Sequence, residues 1–375
     1  MGLYDITFYD IINRNALSFQ HLPAWFDEDD QRTLTFAQYK EKVDRLAGAL
    51  RQNGLQKGDR VGVLGKNSLE FFLIYGAAAA LGAIVLPVNW RLSAEEAAFN
   101  LNDGEPAVLF VDAEFQPLIN GIKSDLLSVK QYYNLKADAG DFDGFTTLLE
   151  HSTSFEPESV SSDDGLVIIH TAAVAGRPRG ALLSHANMMI CSLHLNFLFG
   201  LSHTDVHLNL LPLFHVAGLT MAVNAFHAGA LNVNMGKFDA DRAVELIAEK
   251  NVTVFYEFTP ILALILEAQE KSGQDINSLQ SILGLDMPET IEKYQNLTGG
   301  TFYCVYGQTE TTGLTTLGKY NDRPGSAGKI IPLADVQLVD DNDNPLSPGE
   351  IGEVAMKGPL VFKGYWNLSE DNMHT

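Results

Sequence analysis

This sequence predicts an α/β protein, with helix-flanked, mostly parallel sheets in a large body and a smaller β-rich segment after it. Three observations lead there. Amphipathic helical patterns alternate with short β-branched runs along most of the chain, as in strands joined by crossover helices. The 375 residues exceed one compact core and suit two or three packed subdomains. Near Arg323 the character changes to short strands separated by Gly and Pro turns. The expected division is an α/β body of two subdomains over residues 1–322 and a β-rich subdomain over residues 323–375.

Taken in order, Phe36 to Asn53 reads as an amphipathic helix with Leu46, Ala49 and Leu50 on its apolar side. Arg60 to Gly65 is a strand. The uncharged stretch from Phe71 to Val88 imitates a membrane span, but Gly76, Gly82 and Pro87 interrupt it. Asn67, with Glu70 three residues on, has the form of a capping box. The reading is a buried helix ending near Leu81, a turn at Gly82 and a buried strand from Ala83 to Val88. Ala107 to Val111 is a strand, Asp239 to Lys250 a helix feeding the strand Val252 to Tyr256, and Pro260 to Lys271 helical again. Beyond Arg323, Ala334 to Val339, Gly352 to Lys357 and Leu360 to Gly364 read as strands.

Aspartate and glutamate number 47 against 25 lysines and arginines, a formal charge of -22. Such a surface repels a polyphosphate backbone and argues against a nucleic-acid partner. Any polyanionic ligand must therefore meet a local site that reverses the global field. The two cysteines, Cys191 and Cys304, lie far apart in apolar stretches, so buried free thiols and a reducing, cytoplasmic compartment are expected. The N-terminus has neither the basic start nor the apolar core of a signal peptide, and no transmembrane segment is expected. No HExxH, GxSxG, GxxxxGK[ST] or GxGxxG pattern occurs, which argues against zinc proteases, α/β-hydrolases, P-loop NTPases and dinucleotide-binding dehydrogenases.

One loop stands out. Leu166 to His170 is an apolar strand opening into Thr171-Ala-Ala-Val-Ala-Gly-Arg-Pro-Arg-Gly180, after which Ala181 to Leu183 reads as a strand and Ser184 as the cap of a helix. A loop with Gly176 and Gly180 can turn backbone N–H groups toward phosphate oxygens, and Arg177 and Arg179 add positive charge. The residues alone leave a second reading open, a hairpin turn carrying two solvated arginines.

The loop resembles the TSGTTGxPKG signature of the acyl-CoA synthetase, or AMP-binding enzyme, superfamily. It keeps Thr171, Gly176, Pro178 and Gly180, has Arg179 in the lysine slot, and departs at Ala172, Ala173, Val174 and Ala175. Other segments follow the same family in order. Leu34 to Tyr39 resembles LTYxEL, and Leu81 to Asn89 resembles AGAxxxPLN. Leu211 to Gly218 resembles LPLFHxxG, and Phe238 to Ile247 is similar to the family's next helix. Tyr306-Gly-Gln-Thr-Glu310 matches YGxTE, and Gly325 to Gly328, Gly349 to Gly352 and Gly364-Tyr-Trp366 match the late segments. Single motifs of this size are weak; their order along nearly the whole chain is specific. The fold implied is the large N-terminal domain of an adenylate-forming enzyme with a small β-barrel-like subdomain.

The resemblance implies attack of a carboxylate on the α-phosphorus of ATP, giving an acyl-adenylate and pyrophosphate, then transfer of the acyl group to CoA. ATP, Mg2+ and CoA are the implied cofactors, a small carboxylic acid is the substrate, and a homodimer is compatible with it. Two anions must meet, so the site needs a cation, positive side chains and oriented N–H groups. Glu310 takes the magnesium role; a lone helix-end acid is its bland alternative. Tyr306 would offer a face to adenine and Thr309 a hydroxyl to the α-phosphate. Gly284 to Asp286 would wall the adenine, with Asp286 at the base edge. The resemblance also places His215 beside the acyl carboxylate, against the alternative of a satisfied core histidine. Phe214, Val216, Phe258 and Gly307 would form the acyl-pocket wall. Glu257 is unusual in the apolar stretch Phe255 to Pro260. It would meet a polar or cationic substrate group, or pair with a buried partner.

After Gly364-Tyr-Trp366 the family continues to a TGD motif, a hinge and a small lid domain with a catalytic lysine. None appears before Thr375, so a truncated part of a longer enzyme, of low activity by itself, is expected. Two alternatives stay open: an adenylate-forming enzyme that loads a carrier-protein thiol, and a non-catalytic nucleotide- or acyl-binding relative favoured by the alanine-rich loop.

Overall fold

The structure is a computed structural model describing residues 5–136, 140–150, 155–171 and 177–368. Two large sheets organise it. The first has nine strands, in the order Lys329–Ile330, Thr316–Lys319, Thr301–Tyr306, Ser281–Leu285, Val254–Phe258, Val206–Asn209, Leu231–Asn234, Pro23–Asp27 and Arg32–Thr35. Its six consecutive members from Thr301–Tyr306 to Pro23–Asp27 run parallel, and the edges are antiparallel. The second has seven strands, in the order Gly364–Tyr365, Gly180–Ser184, Gly165–His170, Ile84–Val88, Arg60–Leu64, Val108–Val111 and Gln131–Asn134. There too the parallel run is closed at one edge by antiparallel strands. The α/β class read from alternating helix and strand patterns is the observed one.

The uncharged stretch resolves as expected into a helix, Leu69–Leu81, and a strand, Ile84–Val88, joined by Gly82 in the left-handed conformation. Every residue of that helix is buried, because it is apolar all round and has protein on every side. It packs on the amphipathic helix Phe36–Gln52, where Tyr39 and Phe72 lie 5.5 Å apart, and Phe226 of a third helix, Val216–Ala228, lies 5.7 Å from Phe72. Among the described residues no helix is long and apolar enough to cross a membrane.

Three local expectations need correction. The helix cap is Ser68, whose hydroxyl accepts from the Phe71 N–H, so Asn67 and Glu70 do not form a capping box. Asn67 instead donates to the Leu211 carbonyl at 2.8 Å and accepts from the Leu213 N–H at 2.7 Å, while Glu70 pairs with Arg32 at 2.6 Å. The strand after Val252 runs Val254–Phe258, two residues later than expected. Leu360 to Gly364 is not a strand. Its backbone is satisfied by side chains: the Leu360 carbonyl accepts from Thr312, and Pro359 and Val361 accept from Asn187. Pairing resumes at Gly364–Tyr365.

The late strands distribute themselves. Asp335–Val339 and Glu353–Lys357 form a separate antiparallel pair, whereas Lys329–Ile330 joins the nine-stranded sheet and Gly364–Tyr365 the seven-stranded one.

Candidate active site

Parallel strands release their chains at their carboxyl ends, where the following loops surround a crevice. Here both sheets contribute to one cavity of about 1000 Å3. The seven-stranded sheet supplies Thr171, directly after Gly165–His170, with Arg177, Pro178 and Arg179 leading into Gly180–Ser184, and Tyr365 from its edge strand. From the nine-stranded sheet come Tyr256 and Phe258 of Val254–Phe258, and Gly307 to Glu310 directly after Thr301–Tyr306. His215, Val216 and Ala217 reach it from the start of the helix Val216–Ala228, and Phe99 and Asp103 from the helix Ala94–Gly104.

The arginine-bearing turn is held at its base. Thr171 N–H donates to the Arg179 carbonyl at 3.0 Å, and Ser184 caps the next helix reciprocally with Asn187. The Arg177 guanidinium lies 5.5 Å from the centre of the Phe99 ring, and that of Arg179 lies 4.1 Å from the Tyr365 ring. Both arginines line the cavity, where they stand against the two acids of its lining, Asp103 and Glu310, so positive charge is concentrated on the turn. Gly176 and the four substituted positions Ala172 to Ala175 lie outside the described residues.

Opposite them, Gly307 to Glu310 turn tightly. A Cβ on Gly307 would sit 2.4 Å from the backbone carbon of Gly313, so only glycine lets the two chain segments approach. Thr309 is buried on the cavity wall. The Glu310 carboxylate accepts the Tyr365 hydroxyl at 2.7 Å, and its carbonyl accepts the Phe362 N–H at 2.9 Å. No cluster of three or more His, Cys, Asp or Glu able to hold a metal occurs among the described residues. A cation here would draw one carboxylate from Glu310 and its other oxygens from a phosphate ligand and water, which is the donor set magnesium accepts.

His215 caps the helix Val216–Ala228, its Nδ1 accepting from the Ala217 N–H at 3.2 Å. Desolvation by the surrounding protein pushes its pKa below the ordinary histidine value, although the ring still meets solvent in the cavity. A neutral ring accepting at Nδ1 carries its proton on Nε2, a donor. Phe258 stands edge-on to it at 6.4 Å, with Tyr256 5.2 Å further along the same face. Gly218, the last residue of the LPLFHxxG-like segment, lets this helix start close to the preceding chain: a Cβ there would lie 2.3 Å from the Pro212 carbonyl oxygen.

The cavity thus gathers Thr171, Arg177, Arg179, His215, Val216, Phe258, Gly307, Thr309 and Glu310 from the sequence-based candidates. Six others do not line it. Gly180 sits below the loop in its strand. Phe214 is buried with Arg91 5.9 Å from its ring. Tyr306 is 45% exposed at the end of its strand. Gly284 pairs with Glu257 in register, and Asp286 accepts from Thr259 at 3.2 Å and from the Met287 N–H at 2.6 Å.

Glu257 is the sharpest departure. Strand alternation sends Tyr256 and Phe258 to the cavity and Glu257 to the opposite face. There it is fully buried, with neither carboxylate oxygen bonded among the described residues. Burial first, and the Asp286 charge second, push its pKa to about 9. It is therefore a neutral buried acid at pH 7, without access to a ligand in this cavity.

Sequence reasoning missed Phe99, Asp103, Tyr256, Gln308 and Tyr365 on the wall. Tyr365 was visible only as part of Gly364-Tyr-Trp366; Phe99 and Asp103 carried no signal.

A cationic turn, a carboxylate and an apolar sector surround one crevice at the carboxyl ends of two sheets, a lining suited to an anion with an apolar group beside it. The chain belongs to the AMP-binding enzyme family, whose profile matches residues 12–366. It is 33% identical over 345 residues to the indoleacetate–CoA ligase of Aromatoleum aromaticum, covering 90% of this chain and 68% of that protein. A crystal structure named as a long-chain-fatty-acid CoA ligase, from Rhodopseudomonas palustris CGA009, is similar with a TM-score of 0.95 at 41% identity, covering 100% of this chain and 93% of the other. The inhibitor-bound N-terminal domain of FACL13 from Mycobacterium tuberculosis gives 0.90 at 28% identity, covering 98% and 93%.

Proposed function

We propose that this chain carries the nucleotide and acyl sites of an AMP-forming acid–thiol ligase that makes acyl-CoA. The supporting observation is one cavity holding Arg177 and Arg179, Thr309 and Glu310, and the apolar face of Val216, Tyr256 and Phe258. In the first step an oxygen of the acid's carboxylate bonds to the α-phosphorus of ATP, and the bond to the β-phosphate oxygen breaks, releasing pyrophosphate. The two arginines neutralise the polyphosphate, a task a chain of charge -22 cannot leave to its general field. Thr309 offers a hydroxyl to the α-phosphate. Glu310 would hold magnesium together with phosphate oxygens; when bound, the ion supplies positive charge to the departing pyrophosphate.

His215 directs its Nε2–H at the acyl carboxylate, orienting it for attack, and the N-terminus of the helix Val216–Ala228 adds favourable potential for an anion. Tyr306 offers its exposed face to adenine, with Gly284 and Asp286 beyond it. In the second step the sulfur of CoA bonds to the acyl carbon, its proton passes to solvent, and the bond from that carbon to the phosphate oxygen breaks, AMP leaving with the electron pair. The apolar lining favours an acid with a hydrophobic tail, and a cytoplasmic site of action accompanies this chemistry.

Exchange of radiolabelled pyrophosphate into ATP, measured across aromatic and aliphatic acids, tests the reading. Acid-dependent exchange, lost in Glu310→Gln, is the expected result. ATP binding that no acid alters, with no exchange for any acid, would replace this proposal with a nucleotide-binding, non-catalytic one.

A further inference from the structure

Tyr365 touches both charged halves of the site. Its hydroxyl donates to Glu310 Oε1 at 2.7 Å, while the Arg179 guanidinium carbon stands 4.1 Å from the centre of its ring. The side chain is only 6% exposed and lines the cavity. Three contacts fix it. Phe362 packs edge-on at 4.8 Å, Tyr365 pairs in register with Ala181 just past the arginine-bearing turn, and the Trp366 N–H donates to the Gly180 carbonyl at 2.7 Å. The same segment reaches back to the Glu310 backbone through the Phe362 N–H. One edge strand therefore ties the carboxylate on the nine-stranded sheet to the cationic turn on the seven-stranded sheet.

We infer that Tyr365 is a positioning residue of the phosphate site. Its hydroxyl orients the Glu310 carboxylate for a divalent cation, and its ring holds the Arg179 guanidinium toward the polyphosphate. This rests on the nucleotide reading of the cavity proposed above. The physical case has two parts. A carboxylate with one oxygen engaged by a buried hydroxyl keeps a single orientation, which spares the entropy of ordering it when a cation arrives. A ring beneath a guanidinium attracts its charge without itself taking an N–H hydrogen bond, so the group can be held in place and still turn donors to an anion. In a loop whose usual hydroxyl positions are Ala172, Val174 and Ala175, more of the phosphate contact falls on Arg179.

Calorimetric titration of this chain with ATP, in EDTA and in graded magnesium, separates the two parts. Tyr365→Phe keeps the ring, its packing and the strand pairing, and removes the hydroxyl. Its affinity in EDTA should match the parent chain, while the gain in affinity conferred by magnesium should shrink by about 10-fold. On a Glu310→Gln background the same change should have no further effect. Tyr365→Leu should in addition weaken binding in EDTA, through Arg179. A magnesium gain unchanged in Tyr365→Phe, or an undiminished effect on the Glu310→Gln background, overturns the orienting role. Equal EDTA affinities for Tyr365→Leu and Tyr365→Phe overturn the ring's role. If the parent chain shows no magnesium gain at all, the cation reading of Glu310 fails and this inference fails with it.

Discussion

Replacing Glu257 by glutamine should flatten the pH dependence of this chain's stability and make the variant the more stable form above neutrality. Glu257 is fully buried, with both oxygens unbonded among the described residues. Burial first, and the Asp286 charge second, raise its pKa from 4.5 to about 9. Between those values the unfolded chain has released the proton and the folded chain keeps it. The folded state binds more protons there, so stability falls as pH rises through that window and levels off above it.

Each pH unit is worth ~1.4 kcal/mol, so by pH 7 this group has removed on the order of 3 kcal/mol relative to pH 4.5. Glutamine has the shape of the protonated acid and no proton to lose. Its extra N–H donors cost about 1–3 kcal/mol if they stay unbonded, which sets the offset at low pH but not the slope. Urea unfolding of both forms at pH 5, 6, 7 and 8, followed by tryptophan fluorescence, measures the difference in slope. Parallel profiles would refute the argument, because they would mean that Glu257 ionises in the folded chain at little cost.

Two further substitutions probe how the site is held. Gly307→Ala places a methyl group 2.4 Å from the Gly313 backbone, so the loop bearing Thr309 and Glu310 must shift. ATP affinity by calorimetry should fall by about 10-fold or more, with a stability loss of about 1–3 kcal/mol; parent-like binding would show that this close approach is dispensable. Asn67→Ala removes two buried bonds, to the Leu211 carbonyl and the Leu213 N–H, that tie the chain just before the helix Leu69–Leu81 to the segment before His215. A loss of roughly 2–4 kcal/mol in urea unfolding is expected, and a change below about 0.5 kcal/mol would remove the bridging role.

Much of this molecule was readable from local pattern. Alternation of helical and β-branched stretches announces the parallel sheets, because covered strands and amphipathic helices leave periodic traces within a few residues. Ser184 announces its cap because the reciprocal bond with Asn187 spans only three residues. Asn67 shows the limit of such reading. Its spacing to Glu70 fits a capping box, yet Ser68 takes the cap and Asn67 bridges to Leu211 and Leu213, over 140 residues away. A polar side chain beside a helix start takes whichever orphan donor and acceptor the tertiary fold brings near, and sequence spacing cannot rank a distant partner.

The sequence by itself determined the α/β class, the buried helix and strand within Phe71 to Val88, the family, and the residues of the two loops that end up facing each other. These follow from periodicity and from ordered motifs, which are properties of neighbours along the chain. Only the tertiary structure decided that Glu257 faces away from the cavity, since a shift of the strand by two residues and the choice of face depend on what packs above and below it. Only the tertiary structure also brought Phe99 and Tyr365 under the two arginines, and Tyr365 onto Glu310. Those contacts join segments more than fifty residues apart across two sheets. Their geometry comes from sheet packing, which leaves no local trace in the chain.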